Sequence, residues 1–285
     1  LNGTMFNVAI PDIADDFSLS AAEVSWVMTG YIIVFALASV TYGKLADIYP
    51  VRRLMVIGLL LFNAGALLGY LSQNYPVLLL GRFVQASGGG AIPAMAMLVA
   101  TRYFPVTARG RVLGAAASTV AFAAGVGPVA GGLIAGQLHW RYLFLISLVT
   151  LIAVYAALRL LPKEKSRNDA FDVVGAVLFG IAVTALLVFV TQLFWVALSV
   201  AALFGGLFIV HIRRVKNPFV SPQLLQNRMF RSGLYTTFLA VGTVFGYFFS
   251  IPLLLRMVHG LPTVQIGLVI FPGALSAACL GFVGG

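Results

Sequence analysis

The chain has 285 residues, of which 61% are hydrophobic and 9% charged, and its mean hydropathy is +1.02. These values exclude an ordinary water-soluble globular domain and point to a polytopic membrane protein. The formal charge of +10 could serve nucleic acid, so its distribution along the chain has to decide.

Runs of about 20 apolar residues, enough for a helix to cross ~30 Å of hydrocarbon, recur at 24–42, 54–71, 77–100, 112–138, 142–161, 173–191, 193–212, 232–255 and 264–284. Residues 1–11 read as half of a tenth span, so the chain is expected to start inside a helix with no signal peptide. The single cysteine, Cys279, lies in the last run, which leaves no disulfide framework or thiol metal site; plain packing is its expected role.

Alternate loops carry the charge. Fifteen of the eighteen basic residues, from Lys44, Arg52 and Arg53 through Arg102, Arg109 and Arg111 to Arg228 and Arg231, fall on one side. Asp12, Asp15, Asp16 and Glu23 share the other side with Arg141 and Arg256. A nucleic-acid surface has no reason to skip every second loop, whereas the positive-inside rule predicts this pattern and puts the basic loops in the cytoplasm. The alternation also requires Gln192 to sit in an outward hairpin.

A weak internal repeat accompanies the spans. AIPDI at 9–13 is echoed 241 residues later by SIPLL, and LSAAEVSWV at 19–27 is echoed 242 residues later by LPTVQIGLV, which sets Gly285 opposite Gly43. Two copies in one orientation are a parallel duplication of the kind some secondary transporters use. The expected division is a six-helix bundle over 1–161 with its first helix truncated, two linking spans over 162–231, and the first two helices of an incomplete second bundle over 232–285. Ten spans are an odd stopping point for a duplicated fold, so the chain is expected to be a fragment that does not transport alone.

Three stretches break the rules of a plain membrane span. The loop GKLADIYPVRRL at 43–54 sets Gly43, Asp47, Arg52 and Arg53 between two spans. One acid facing several bases can pin two helix ends; equally, the arginines can be positive-inside decoration with Asp47 as an N-cap. In the fourth span Arg82 follows Pro76 by six residues and precedes a long uncharged run. An arginine there costs at least ~2.5 kcal/mol unless it meets a polar cavity or a partner, and Gln85 and Gly89 share its helix face. Such a face can line a water-filled path on which Arg82 governs the protonation of a neighbouring acid; snorkelling to the headgroups is the other reading. In the fifth span, GVGPVAGG at 125–132 supplies Gly125, Gly127, Pro128, Gly131 and Gly132. Ala123, Gly127, Gly131 and Ala135 make one smooth side, and Pro128 removes an amide. A packing hinge and ordinary small-residue contact both fit.

These segments resemble a known family. GVGPVAGG is similar to the antiporter motif of the major facilitator superfamily, GKLADIYPVRRL to its loop between helices 2 and 3, GRFVQASGGG to its fourth-helix arginine motif, and LNGTMFNVAIPDIA to the first helix of its 14-helix drug/proton antiporters. NVAIPDIADDF, GVGPVAGGLIAGQLHWRYLFLI, LLPKEK and HIRRVKNPFV resemble the tetracycline efflux pumps of Gram-positive bacteria. Departures are Ala123 and Ala86 at two glycine positions, Tyr49 and Pro50 where a basic residue and glycine are common, and Asn2 where many of these antiporters carry an acid.

The resemblance implies an all-α membrane transporter that exports tetracycline, as a chelate with Mg2+ or another divalent metal, in exchange for protons. It would work by alternating access in the bacterial cell membrane, with no bound cofactor, the proton gradient as driving force, and no required protein partner. The fifth helix would slide and the Asp47 loop would latch one state. No acid lies near the middle of a complete span, so Asp12 and Asp172 join Arg82 as candidates for proton coupling, with helix-end charge as their alternative role. Asn7, Thr29, Tyr31, Gln85 and Ser118 offer polar groups for cargo or for neighbouring backbone. Export of quaternary ammonium compounds or cationic dyes is the alternative cargo, and a non-transporting sensor or scaffold the alternative class. An enzyme is disfavoured: no Ser/His/Asp arrangement, metal-ligand cluster or phosphate loop is evident, and His139, His211 and His259 are scattered at span ends.

Overall fold

Without water to satisfy backbone amides, a lipid-embedded chain must close its hydrogen bonds within helices or barrels, and the described residues of this one take the helical route. The computed structural model describes residues 2–164, 166, 170–259, 269, 272–273 and 276. Seven helical segments among them are long and apolar enough to cross a membrane. The predicted run at 264–284, Cys279, Gly285 and the second-copy segment LPTVQIGLV lie almost wholly outside the described residues, as do Lys165, Arg167 and Asp169.

Described residues up to 166 form one compact unit and 170–259 belong to a second. In the first, α1 (Asn2–Asp16) turns at Ser18, whose φ is 52°, into α2 (Ala21–Leu45). A capping box starts α2: the Glu23 amide donates to Ser20 Oγ, and the Ser20 amide donates to the Glu23 carboxylate. Next come α3 (Val51–Tyr70), α4 (Tyr75–Gly89), α5 (Ala91–Tyr103) and α6 (Val106–Gln137). The unit closes with α7 (Tyr142–Ser147), a 3-10 turn at Leu148–Thr150, and α8 (Leu151–Leu160).

Three expectations about these elements are corrected. The first helix does not stop at Pro11 but runs on through Asp12 to Asp16. Proline removes only the amide that would reach the Asn7 carbonyl, a loss one turn can absorb. The fourth span is two helices, α4 and α5, divided at Gly90, where an added Cβ would meet the Phe35 carbonyl and Ser39 amide of α2 at 2.7 Å. The sixth is broken by its 3-10 turn.

Glycines bring α3 and α4 into close contact. A Cβ on Gly65 would lie 2.6 Å from Gln85 Cα and 2.7 Å from the Gly81 carbonyl oxygen. One on Gly81 would lie 2.7 Å from the Gly69 amide, and one on Gly88 would overlap the backbone of Gly58 and Phe62. Only the absence of side chains lets the backbones come this near. On the other flank α6 continues as helix through Pro128, and its buried Gly131 seats the backbone of Met5 of α1, whose atoms an added Cβ would meet at 2.7 Å. Gly127 is buried on the same side, whereas Gly132 has only ordinary contact with Val8. Between these pairs lies an apolar core of Met5, Phe6, Ile13, Val27, Leu78 and Phe144.

In the second unit α9 (Val173–Gln192) and α10 (Trp195–Ile212) form the hairpin expected at Gln192, turning through Leu193 at φ 51°. Phe179, Phe208 and Phe219 cluster at its open end. The short α11 (Pro222–Gln226) leads into α12 (Arg228–His259), which takes in the predicted 232–255 span.

Gly88→Val should destabilise the folded protein by about 3 kcal/mol, since the new side chain meets backbone that cannot rotate away. Gly205→Ala, where the space is open, should change stability by less than about 1 kcal/mol. Thermal melting in detergent checks both.

Candidate functional site

Arg82 is fully buried, so the snorkelling reading fails and a partner must be found. Its helix face, Gly81–Arg82–Gln85, is drawn against α3 by the glycine contact, and α1 and α2 close over it. The guanidinium donates from Nε to the Val27 carbonyl at 3.3 Å and from Nη1 to Asn2 Oδ1 at 2.8 Å and Gln85 Oε1 at 2.9 Å. Nη2 points at the Met28 sulfur, 3.9 Å away. The rings of Phe6 and Tyr31 lie over the guanidinium carbon at 4.2 and 4.0 Å. Each ligand is neutral. A cation held by carbonyl dipoles and ring faces keeps its charge while losing its water, and among the described residues no acid contacts it. The i+3 partner Gln85 was legible from helix periodicity; Asn2, 80 residues away, was not.

The cluster extends through one hydroxyl. Ser147 Oγ accepts from Asn2 Nδ2 at 2.8 Å and from Gln85 Nε2 at 3.3 Å. Beyond it, Thr150 Oγ1 donates to the Ser147 carbonyl at 2.7 Å and accepts from Asn63 Nδ2 at 3.0 Å. Ser147, Asn63 and Thr150 were missed by the sequence reading. Their only signal was a serine and a threonine three apart in the apolar run LISLVT, flanking the turn that breaks the helix.

At one end of the unit the Asp47 loop forms a different set of contacts from those expected. Asp47 is exposed and lies 3.5 Å from Lys44 and 4.0 Å from Arg102, not against Arg52 or Arg53. Nor does it cap α3. The amide of Val51, the first residue of α3, donates instead to Glu164 at 3.4 Å. Glu164 also accepts from Tyr103 Oη at 2.7 Å, and Arg102 donates to the Ala46 carbonyl at 2.9 Å. Arg53 stacks on Tyr49 at 5.7 Å, and an added Cβ at Gly43 would meet nothing within 4 Å. Arg102, Tyr103 and Glu164 therefore belong to this end, though sequence distance concealed them. At the opposite end Asp16 accepts from Arg141 and from the Trp140 indole, both at 3.1 Å, tying α1 to the start of α7.

The remaining proton-coupling candidates differ. Asp12 is exposed on α1 with no hydrogen bond or ion pair among the described residues. Asp172 is buried at the start of α9 in the second unit, where its carboxylate accepts from the Gly175 amide at 2.8 Å and the Phe219 amide at 2.9 Å and faces His211 Nε2 at 2.8 Å. Burial alone would raise its pKa, but the bonds from His211, Gly175 and Phe219 outweigh that and hold the carboxyl below its ordinary range. In these contacts it caps α9 and anchors the segment that carries Phe219.

The Major Facilitator Superfamily model matches residues 1–285. The chain belongs to the major facilitator superfamily. Several relatives carry transporter names. The riboflavin transporter RibZ of Clostridioides difficile (strain 630) is 31% identical over 243 residues, 82% of this chain and 52% of that protein. The methylenomycin A resistance protein of Bacillus subtilis (strain 168) is 28% identical over 95% of this chain and 61% of its own length. The uncharacterized transporter YebQ of Escherichia coli (strain K12) is 29% identical over all of this chain and 65% of its own length. The chain thus spans about half to two thirds of the length of the curated relatives it matches.

Within this major facilitator unit the cargo candidates separate. Tyr31 and Gln85 are buried in the Arg82 cluster; Asn7 is exposed on α1; Ser118 donates back to the Gly114 carbonyl of its own helix at 2.9 Å.

Two measurements follow. Asp172→Ala should destabilise the second unit by about 1–2 kcal/mol at neutral pH, the range of a lost cap. Because the folded-state pKa is depressed, that stabilisation is present above the unfolded value near pH 4 and disappears as pH falls through the folded value; melting of wild type and variant should converge there. Asp47→Asn should shift the melting free energy by less than about 1 kcal/mol, because an exposed pair contributes little, so any larger transport defect would be conformational.

Proposed function

We propose that this chain is part of a proton-driven drug exporter that moves a tetracycline, as its chelate with Mg2+ or another divalent metal, out of the bacterial cell in exchange for protons. The observation that carries the reading is the fully buried Arg82, charged and ringed by neutral groups inside a membrane-spanning bundle. Such a group is expensive to keep in a passive scaffold. A cation in low dielectric raises the energy of any nearby proton and lowers that of any nearby carboxylate or enolate, which is the lever an antiporter needs. The antiporter-like stretch at 125–132 and the drug-resistance relative at 28% identity support export as the direction.

In this mechanism the Arg82 cluster sets the protonation of the site, with Asp12, an exposed acid on α1, as the candidate proton carrier of the same unit. The Gly127 and Gly131 side of α6 serves as the contact that slides, and the Asp47 end, cytoplasmic by the positive-inside pattern, holds one state. Tyr31 and Gln85 would meet cargo when the cluster opens. A second reading keeps this mechanism and changes the cargo to a flavin, favoured by the riboflavin transporter at 31% identity.

The test uses the protein expressed from its complete reading frame, reconstituted into vesicles with an imposed pH gradient, with tetracycline plus Mg2+, riboflavin and ethidium offered separately. Tetracycline uptake should require the gradient, and Arg82→Ala should lower it at least about tenfold. Uptake of riboflavin alone would select the second cargo; uptake of ethidium alone would make it a dye exporter; gradient-independent accumulation, or no effect of Arg82→Ala, would sink the coupling role.

A further inference from the structure

We propose that Ser147 is a positioning residue for the Arg82 cluster, acting by fixing which way two amides face. This rests on the reading of Arg82 as the coupling group. Asn2 and Gln85 both aim their amide oxygens at Nη1 of Arg82, at 2.8 and 2.9 Å. An amide turned by half a revolution would present NH2 to the guanidinium instead, donor against donor, and the two orientations have nearly the same shape. The guanidinium disfavours the turned amides from one side, and Ser147 adds the restraint from the other: Asn2 Nδ2 and Gln85 Nε2 both donate to the one Ser147 oxygen, at 2.8 and 3.3 Å. A single acceptor therefore orients two amides from two helices, and through them the charge.

Ser147 is itself fixed from behind. It ends α7, where the 3-10 turn begins, and its carbonyl accepts from Thr150, which in turn is held by Asn63 of α3. Asn63, Ser147 and Gln85 are all buried, so no bulk water competes for these bonds. The result is a continuous polar line from α3 through the broken sixth span to α1 and α4, with Arg82 at its end. A shift of α7 relative to α4 would break the Ser147 bonds first and release both amides. Movement of the sixth span and the orientation of the dipoles around Arg82 are thereby one event.

A role confined to packing and a role in positioning predict different outcomes. Gradient-driven uptake and counterflow, the exchange of labelled for unlabelled drug with no pH gradient, are measured in the same vesicles for wild type, Ser147→Ala and Arg82→Ala, together with melting temperature. Ser147→Ala should lower gradient-driven uptake about tenfold, the effect expected when a buried amide donor loses its acceptor, while counterflow stays within about twofold of wild type. Arg82→Ala should lower gradient-driven uptake at least as much. If Ser147→Ala leaves both rates unchanged, or lowers both together with melting temperature, Ser147 is not a positioning residue. If Arg82→Ala leaves gradient-driven uptake intact, the coupling role of Arg82 fails first, whatever Ser147 does. Should Ser147→Ala not accumulate in the membrane, Asn2→Ala removes one of the oriented amides and must show the same split; equal loss of both rates there overturns the proposal.

Discussion

Putting a guanidinium into a membrane-spanning bundle with no counter-ion among the described residues is the constraint around which the first unit is arranged. Desolvation of such a charge amounts to several kcal/mol even after relaxation, so its ligands must be numerous and fixed in advance. The Val27 carbonyl, the amide oxygens of Asn2 and Gln85 and the faces of Phe6 and Tyr31 meet that need from three helices. None of these helices could be moved or removed alone. The glycine contact of α3 with α4 belongs to the same solution, because it draws α4 inward until Arg82 reaches α1 and α2 and lies beyond the reach of the surface.

The centre and the ends of the unit are held by different physics. At the centre the hydrogen bonds are buried, and a missing partner is costly. At the ends the ion pairs are half-exposed or exposed: Asp47 with Lys44 and Arg102 on one side, Asp16 with Arg141 on the other. Exposed pairs contribute little and re-form easily. The end contacts can therefore exchange while the central charge keeps its ligands.

How much of this was readable depended on sequence distance. The all-helical fold, the hairpin at Gln192 and the pairing of Arg82 with Gln85 came from periodicity and charge placement, which are local signals. The contact of Asn2 with Arg82 and the convergence on Ser147 join residues 62 to 145 apart, and one serine in an apolar run looks the same whether it bonds its own backbone or orients a site. Ser118 shows the other case, bonded to its own turn. Proximity in sequence also misled. Arg52 and Arg53 stood in the same loop as Asp47, yet a loop acid is free to meet whatever lies beside it, here Lys44 and Arg102. The apolar run ended at Pro11, yet α1 continues to Asp16, with Met5, Phe6, Ala9 and Ile13 packed on one side.

The most direct test of the central claim is nuclear magnetic resonance of the protein labelled with 15N-arginine, with the Arg82 signals assigned by their loss in Arg82→Lys. A guanidinium fixed by three oxygens and two rings should show resolved Nη1 and Nη2 resonances whose protons exchange slowly with water. A single averaged, rapidly exchanging signal would mean a solvated and freely rotating side chain, and would contradict the account.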